Sequence, residues 1–397
     1  MNPRPISQDI FLDDVGLVCS LGSGKRAVWD AVSGGRSGIA RKAVGGREFW
    51  LGSVPPSWYD AGNSEPFASR VNAILRVALD EIAPAVGAAV ARYGASRVGA
   101  IIGSCDNGSE LSLSALSRYR ESGAFPSGYC LEYQRADLPA RYAAERLGLE
   151  GPALACSTAC ASSASALASA RNLIRSGACD AVVAGGVDIV SQAVALGFAS
   201  LEAVSDEPCA PFSARRRGIT LGEGAAVFLI TRDRMSPDAP RLLGAGESAD
   251  AHHMTAPDPE GTGAALAMER ALSDAGLSAS DIDYVNLHGT GTELNDAMES
   301  RALARVFPRG VPASSTKALT GHTLGAAGAL ELGICWLALS RAMNPSLVLP
   351  QQPWDGTPDP ALPPIDIVTG ARRAARLSRC MSNSFAFGGC NVSLIVG

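Results

Sequence analysis

The sequence predicts a layered α/β protein assembled from two duplicated halves, residues 1–236 and 237–397. Three observations carry this. Short, strongly apolar runs alternate with helical segments, the pattern of strands buried on both faces and covered by helices. Each half holds one helix built mainly of small residues, which suits a helix enclosed on all sides. A reactive side chain stands at the N-terminal side of each of these helices, Cys160 in the first half and His322 in the second. The duplication is read from this order of elements, since the two halves share little residue identity.

In the first half, Ile10–Val18 reads as a strand, followed by Leu21-Gly22-Ser23-Gly24 and a helix through Ala27-Val28-Trp29. The Gly- and Pro-rich passage from Gly34 to Pro66 reads as surface loop. A helix is expected from about Phe67 to Val90, then a buried strand over Arg97–Gly103. Glu110–Arg120 and Pro139–Leu147 are helical, and the Cys160 helix runs to about Ser176-Gly177. Ala181–Gly186 and Gly224–Ile230 complete the half as buried strands. The second half repeats the scheme with a helix over Gly261–Ala275 and a strand over Ile282–Leu287 ending at His288. A small-residue helix over Leu324–Met343 and a closing hairpin over Met381–Val396 follow.

Composition narrows the function. A formal charge of −5 without a long basic run argues against nucleic-acid binding. Ten cysteines in 397 residues are too sparse for a disulfide scaffold, and none has zinc spacing. Met1–Asp14 lacks the pattern of a signal peptide. The longest apolar stretch, Leu324–Leu339, is interrupted by Glu331, so no membrane insertion is expected. The expected compartment is a reducing cytoplasm.

The chemistry concentrates at four places. Cys160 stands at a helix start, where free N–H groups and the positive dipole end predict a thiol shifted toward thiolate. A buried, inert cysteine is the plainer reading of that residue alone. His288 ends a buried strand in the turn Asn286-Leu287-His288-Gly289-Thr290-Gly291-Thr292. His322 follows Lys317 in Lys317-Ala318-Leu319-Thr320-Gly321-His322 at a second helix start, where a neutral, donating imidazole is favoured. Two histidines in such turns, out of four in the chain, together with the cysteine, point to a nucleophile with two carbonyl-polarising donors.

This ordered set resembles the elongating β-ketoacyl-ACP synthases of the thiolase-fold condensing enzymes. The likeness extends through Gly35–Ile39, Ser157–Cys160, Gly222–Ala225, Asp250–Pro257, His288–Thr292, Lys317–Glu331 and Asn383–Phe385. It implies five α-β-α-β-α layers and acyl transfer through Cys160, with its N–H and that of Phe387 as oxyanion hole. His288 and His322 would stabilise the enolate left when malonyl-ACP loses carbon dioxide. Thr290 and Thr292 match contacts to the phosphopantetheine arm, which the acyl carrier protein delivers, so no further cofactor is implied. Lys317 and Glu331 match a buried ion pair that organises the histidine loop. Asn286, Glu331, Ser382 and Asn383 match a structural monovalent-cation site found in some members. Phe385-Ala386-Phe387 matches a gating loop, with His253 and Thr255 in a second one. The resemblance also implies a homodimer, or a heterodimer with a chain-length-factor paralogue in a specialised aryl-polyene or type II polyketide system.

The chain departs from the family pattern at several points. Pro-Phe-Asp becomes Pro211-Phe212-Ser213, and Arg-Asp-Gly becomes Arg216-Arg217-Gly218. Ala386 replaces a glycine, and Cys390 a threonine. Asp106 falls where the acyl-pocket floor is shaped. It either closes a turn with Asn107 and Ser109 or faces a polar, unsaturated or aryl-bearing chain. A non-catalytic chain-length factor would lack Cys160, and a coenzyme-A thiolase would not show the paired histidines with Lys317. Both alternatives fit less well than decarboxylative condensation in fatty acid or fatty-acid-like polyketide or polyene synthesis.

Overall fold

The computed structural model describes residues 9–59, 67–106 and 108–397. The first sheet takes β1 (Phe11–Cys19), β2 (Gly22–Ser23), β5 (Val98–Gly103), β6 (Ala153–Cys156), β7 (Ala181–Asp188) and β9 (Gly224–Thr231). Their order is β2-β1-β9-β7-β5-β6. The second sheet takes β10 (Leu242–Ala249), β11 (Tyr284–Asn286), β12 (Pro312–Ser314), β13 (Asp366–Ile367), β14 (Cys380–Phe385) and β15 (Cys390–Val396), ordered β10-β15-β14-β11-β12-β13. In both sheets parallel and antiparallel pairs are mixed.

Two small-residue helices lie between the sheets. They are α6 (Ser162–Arg175) and α11 (Ala327–Leu339), which touch each other and both sheets. Their alanines and glycines let the backbones come close. A Cβ on Gly328 would sit 2.8 Å from the Ala164 methyl carbon, so this layer tolerates no bulk. On the outer face of the first sheet lie α3 (Arg70–Tyr93) and α5 (Leu138–Leu147). The outer face of the second carries α8 (Thr262–Ala275), against which α9 (Glu293–Val306) packs. The result is the expected α-β-α-β-α layering.

Most predicted elements are present within one or two residues at their ends. The passage from Gly34 to Pro66 is a correction. Within its described part it folds into a hairpin, β3 (Ala40–Val44) and β4 (Arg47–Gly52), which continues into β8 (Leu221–Gly222). Phe49 and Leu51 alternate inward into a small apolar cluster, a period-2 signal that the surrounding glycines and prolines mask. Residues 60–66 of that passage lie outside the described residues. Helix α9 was not anticipated either. Its buried Met298, Ala302, Leu303 and Val306 recur at helical spacing, yet acidic residues crowd its start.

Candidate active site

The candidate nucleophile, Cys160, is presented by a strained turn. β6 runs into residues 157–161, and Ala159 adopts a left-handed φ of +49° immediately before Cys160. The Ser162 hydroxyl fixes the turn by accepting from the Thr158 N–H at 2.9 Å and donating to the Ala159 carbonyl at 2.6 Å. Cys160 is thereby buried at the threshold of α6. Here the sequence expectation of a depressed thiol pKa fails. Burial pushes the thiol up to about 11, while the Lys317 charge and the Phe387 N–H pull the other way. Desolvation outweighs the helix start.

The His288 turn is held by buried carboxyl groups. It follows β11, and its N–H and that of Gly289 donate to the buried Glu299 carboxylate at 2.8 and 2.6 Å. Asp296, one turn earlier on α9, accepts from Gly291 N–H at 3.2 Å and Phe212 N–H at 2.7 Å. Burial raises the Glu299 carboxyl to about 8 and that of Asp296 to about 6. The His288 Nδ1 lies 3.3 Å from Lys317 Nζ, which is ion-paired with buried Glu331.

His322 is held by backbone from the first half. Its N–H donates to Thr220 at 2.7 Å, and its carbonyl accepts from Gly222 at 2.8 Å. The Leu324 N–H donates to His322 Nδ1 at 3.2 Å. Leu324 has φ +53°, and the N–H of Gly325 donates to Asp188. Asp188 also accepts from the Ser104 hydroxyl at 2.8 Å and from the Cys105 and Asp106 N–H groups, tying this turn to the loop after β5.

Both Nδ1 atoms therefore face donors, which leaves each neutral ring its proton on Nε2. Burial first, and the Lys317 ammonium second, push both imidazoles well below their ordinary pKa. The rings meet edge-on with centroids 5.3 Å apart. Cys160, His288 and His322 line one cavity of about 560 Å³ together with Phe385, Phe387, Thr290, Thr292 and Thr255.

The remaining predicted residues are placed as follows. Phe385 is buried edge-on to His288 at 6.2 Å, and Phe387 stacks on Phe198 of α7 (Gln192–Ser200) at 5.9 Å. Ala386 closes the β14–β15 hairpin, with its N–H donating to Cys390. The Thr290 and Thr292 hydroxyls are 2.9 Å apart. His253 lies outside the cavity lining, its Nδ1 accepting from Thr255 N–H at 3.2 Å. Asp106 also lies outside the lining. It is buried, with one carboxylate oxygen accepting from Ser109 N–H at 2.8 Å and the other without a partner among the described residues. Its proposed turn partner Asn107 lies outside the described residues.

Asn286 Oδ1, Glu331 Oε2 and the Ser382 and Ser384 hydroxyls are buried without a hydrogen bond among the described residues. Asn286 and Ser382 are register partners on adjacent strands, and α11 packs on β14. The side chain of Asn383 is committed elsewhere, accepting from the Ser393 hydroxyl at 2.8 Å. The Ser213 departure and its neighbour Arg216 are both met by the second half. The Ser213 hydroxyl donates to Asp355 at 2.7 Å, and Arg216 pairs with Asp359 at 2.6 Å. Sequence reasoning missed Asp188, Asp296, Glu299 and Phe198. Only the helical spacing of α9 offered a signal for any of them.

A buried cysteine sharing one cavity with two histidines that each keep a proton on Nε2 is an arrangement chemically suited to acyl transfer. Family models for β-ketoacyl synthase match residues 61–235 (N-terminal domain) and 241–349 (C-terminal domain). Nodulation protein E of Rhizobium sp. is 31% identical, over 97% of this chain and 98% of its own. The 3-oxoacyl-[acyl-carrier-protein] synthase 2 of Vibrio cholerae is 32% identical over 97% and 98%. The ketosynthase ApeO of Xenorhabdus doucetiae, solved in complex with its chain length factor ApeC, superimposes with a TM-score of 0.90 at 41% identity over the whole of both chains. The chain belongs to the β-ketoacyl synthase family and is an acyltransferase with the thiolase fold.

Proposed function

We propose that the protein condenses an acyl group held on Cys160 with malonyl-ACP, in fatty acid or fatty-acid-like polyketide or polyene synthesis. The observation that carries this is the pair of imidazoles with both Nδ1 atoms engaged and both Nε2 protons free for one thioester oxygen. Cys160 gives up its proton and attacks the acyl thioester, and the carrier thiol leaves protonated. The Phe387 N–H, aimed at the sulfur, and the Cys160 N–H take the developing oxyanion. Malonyl-ACP then loses carbon dioxide, and the electron pair is held as an enolate by His288 and His322. The enolate carbon attacks the acyl carbonyl, Cys160 sulfur leaves, and a proton returns to it. Lys317 acts on His288 by occupying Nδ1, and Glu331 balances that charge.

A monovalent cation fits the orphaned oxygens of Asn286, Glu331 and Ser382, where it would neutralise residual charge behind the histidines. Asp106, which the sequence placed at the acyl-pocket floor, lies outside the cavity lining and bonds locally to Ser109, so it does not argue for a polar or unsaturated chain. A heterodimer with a chain-length-factor-like paralogue is favoured over a homodimer by the likeness to ApeO. The unpaired edge of β6, where Leu154 is 43% exposed, offers such a partner a strand to pair with. Ten free cysteines suit a reducing cytoplasm, and among the described residues no helix is long and apolar enough to cross a membrane.

The test is carbon dioxide release from malonyl-ACP with a panel of acyl-ACPs and product mass analysis, run with and without a paralogue. A parent enzyme that releases none under either condition refutes condensation.

A further inference from the structure

Arg217 stands where the family pattern has an aspartate, and the structure gives it a distinct setting. It is the one lysine or arginine among the described residues that line the catalytic cavity. It is exposed and makes no hydrogen bond or ion pair with the described residues, whereas its neighbour Arg216 is locked to Asp359. Its backbone is fixed. Gly218, at φ +127°, donates its N–H to the Gly291 carbonyl at 2.9 Å, which fastens Arg217 beside the Thr290 and Thr292 turn. A Cβ on Gly218 would meet the Ala203 carbonyl at 2.4 Å, so only glycine allows this approach. Of the acidic residues lining the cavity, Asp250 is already taken by the Asn391 amide at 2.6 Å and the Asp258 N–H at 3.1 Å.

We infer that Arg217 holds the phosphodiester of the phosphopantetheine arm at the cavity mouth. This rests on the carrier-bound thioester reading above. The phosphate lies at the end of the arm opposite the thioester, so it must rest at the mouth when the thioester reaches Cys160. A planar guanidinium with free donors matches a phosphodiester in charge and in paired hydrogen-bond geometry. The aspartate of the family pattern would repel the same group, so the substitution shifts recognition from the carrier surface toward the arm itself.

The experiment measures acylation of Cys160 by intact mass, comparing hexanoyl-phosphopantetheine with hexanoyl-pantetheine. The parent should prefer the phosphorylated arm about fivefold, as for one solvent-exposed charge pair, with the preference shrinking as salt rises. Arg217→Ala should bring the ratio near one, Arg217→Lys should keep part of it, and Arg217→Asp should invert it. A ratio unchanged in Arg217→Ala, or absent in the parent, overturns the assignment. Hexanoyl-ACP and hexanoyl-coenzyme A distinguish the source of the phosphate. A loss with both phosphopantetheine and ACP supports the carrier arm, while a loss confined to ACP or to coenzyme A overturns the proposal. Failure of the condensation reading shows separately, as no carbon dioxide from malonyl-ACP in the same preparation.

Discussion

The two histidine turns line one cavity and are held in different ways. The His288 turn is cradled by carboxylates of its own half, with Glu299 and Asp296 receiving its backbone N–H groups. The His322 turn is stitched by backbone across the halves to Thr220 and Gly222, and by Asp188 to the loop after β5. One turn is therefore set locally by buried carboxyl groups, the other by the registration of the two halves. Substitution and titration of those carboxyls should disturb the first, and inter-half packing the second.

The largest effect expected is from Lys317→Met. It leaves Glu331 buried and unpaired, at a cost of about 3–5 kcal/mol. It also removes a charge that holds the imidazoles neutral, most strongly His288. The parent should release carbon dioxide at a flat rate down through pH 6, because both histidine pKa values lie well below the ordinary range. In Lys317→Met the acid limb should move to higher pH, read from pH–rate profiles of malonyl-ACP decarboxylation. An unmoved limb would break the link between Lys317 and His288.

Next come His288→Ala and His322→Ala. Each removes one enolate donor, worth about 3–4 kcal/mol, roughly a hundred- to a thousandfold in decarboxylation. Both should retain acyl transfer to Cys160 by intact mass. Parental decarboxylation by either variant would refute the shared role of the pair.

Glu299→Gln probes the local cradle at smaller cost. One amide oxygen cannot accept from two N–H groups while its NH₂ faces the other, so about 1–3 kcal/mol should be lost at acid pH. The pH dependence has a definite sign. The folded-state carboxyl is raised to about 8, above its ordinary range near 4.3. Its contribution is therefore full below the unfolded value and declines as pH rises through 8. Thermal melts should show the Glu299→Gln deficit shrinking from pH 5 to pH 8. A constant deficit would mean that Glu299 is ionised throughout.

The smallest effect is expected at Cys156→Ser. Its thiol is partly buried at the end of β6, four residues before Cys160, and the change should stay within about 0.5 kcal/mol with acylation intact.

That Cys160, His288, Lys317 and His322 belong together was legible in the sequence, because each sits in a local signal, such as a helix start, a strand end or a glycine turn. The groups that hold them were not legible. Asp188, Asp296 and Glu299 accept backbone N–H groups brought together only by folding, and Asp296, in the first turn of α9, reads equally well as a solvated cap. The Cys160 pKa was misjudged for a related reason. A helix start is visible in sequence, but the degree of burial that outweighs it is a property of the closed cavity. The β3–β4 hairpin stayed hidden because its inward positions are only Phe49 and Leu51, set in a passage dominated by turn residues.

The edge strand β6 has a consequence for how the protein must be handled. Among the described residues its outer row of N–H and C=O groups is unpaired, and it runs directly into the turn that carries Cys160. An open edge is a template for pairing with another strand, so the segment that positions this thiol is also one through which copies of the chain can associate. On the proposed heterodimer, expression without the paralogue should therefore lower specific activity and colloidal stability together, and co-expression should restore both.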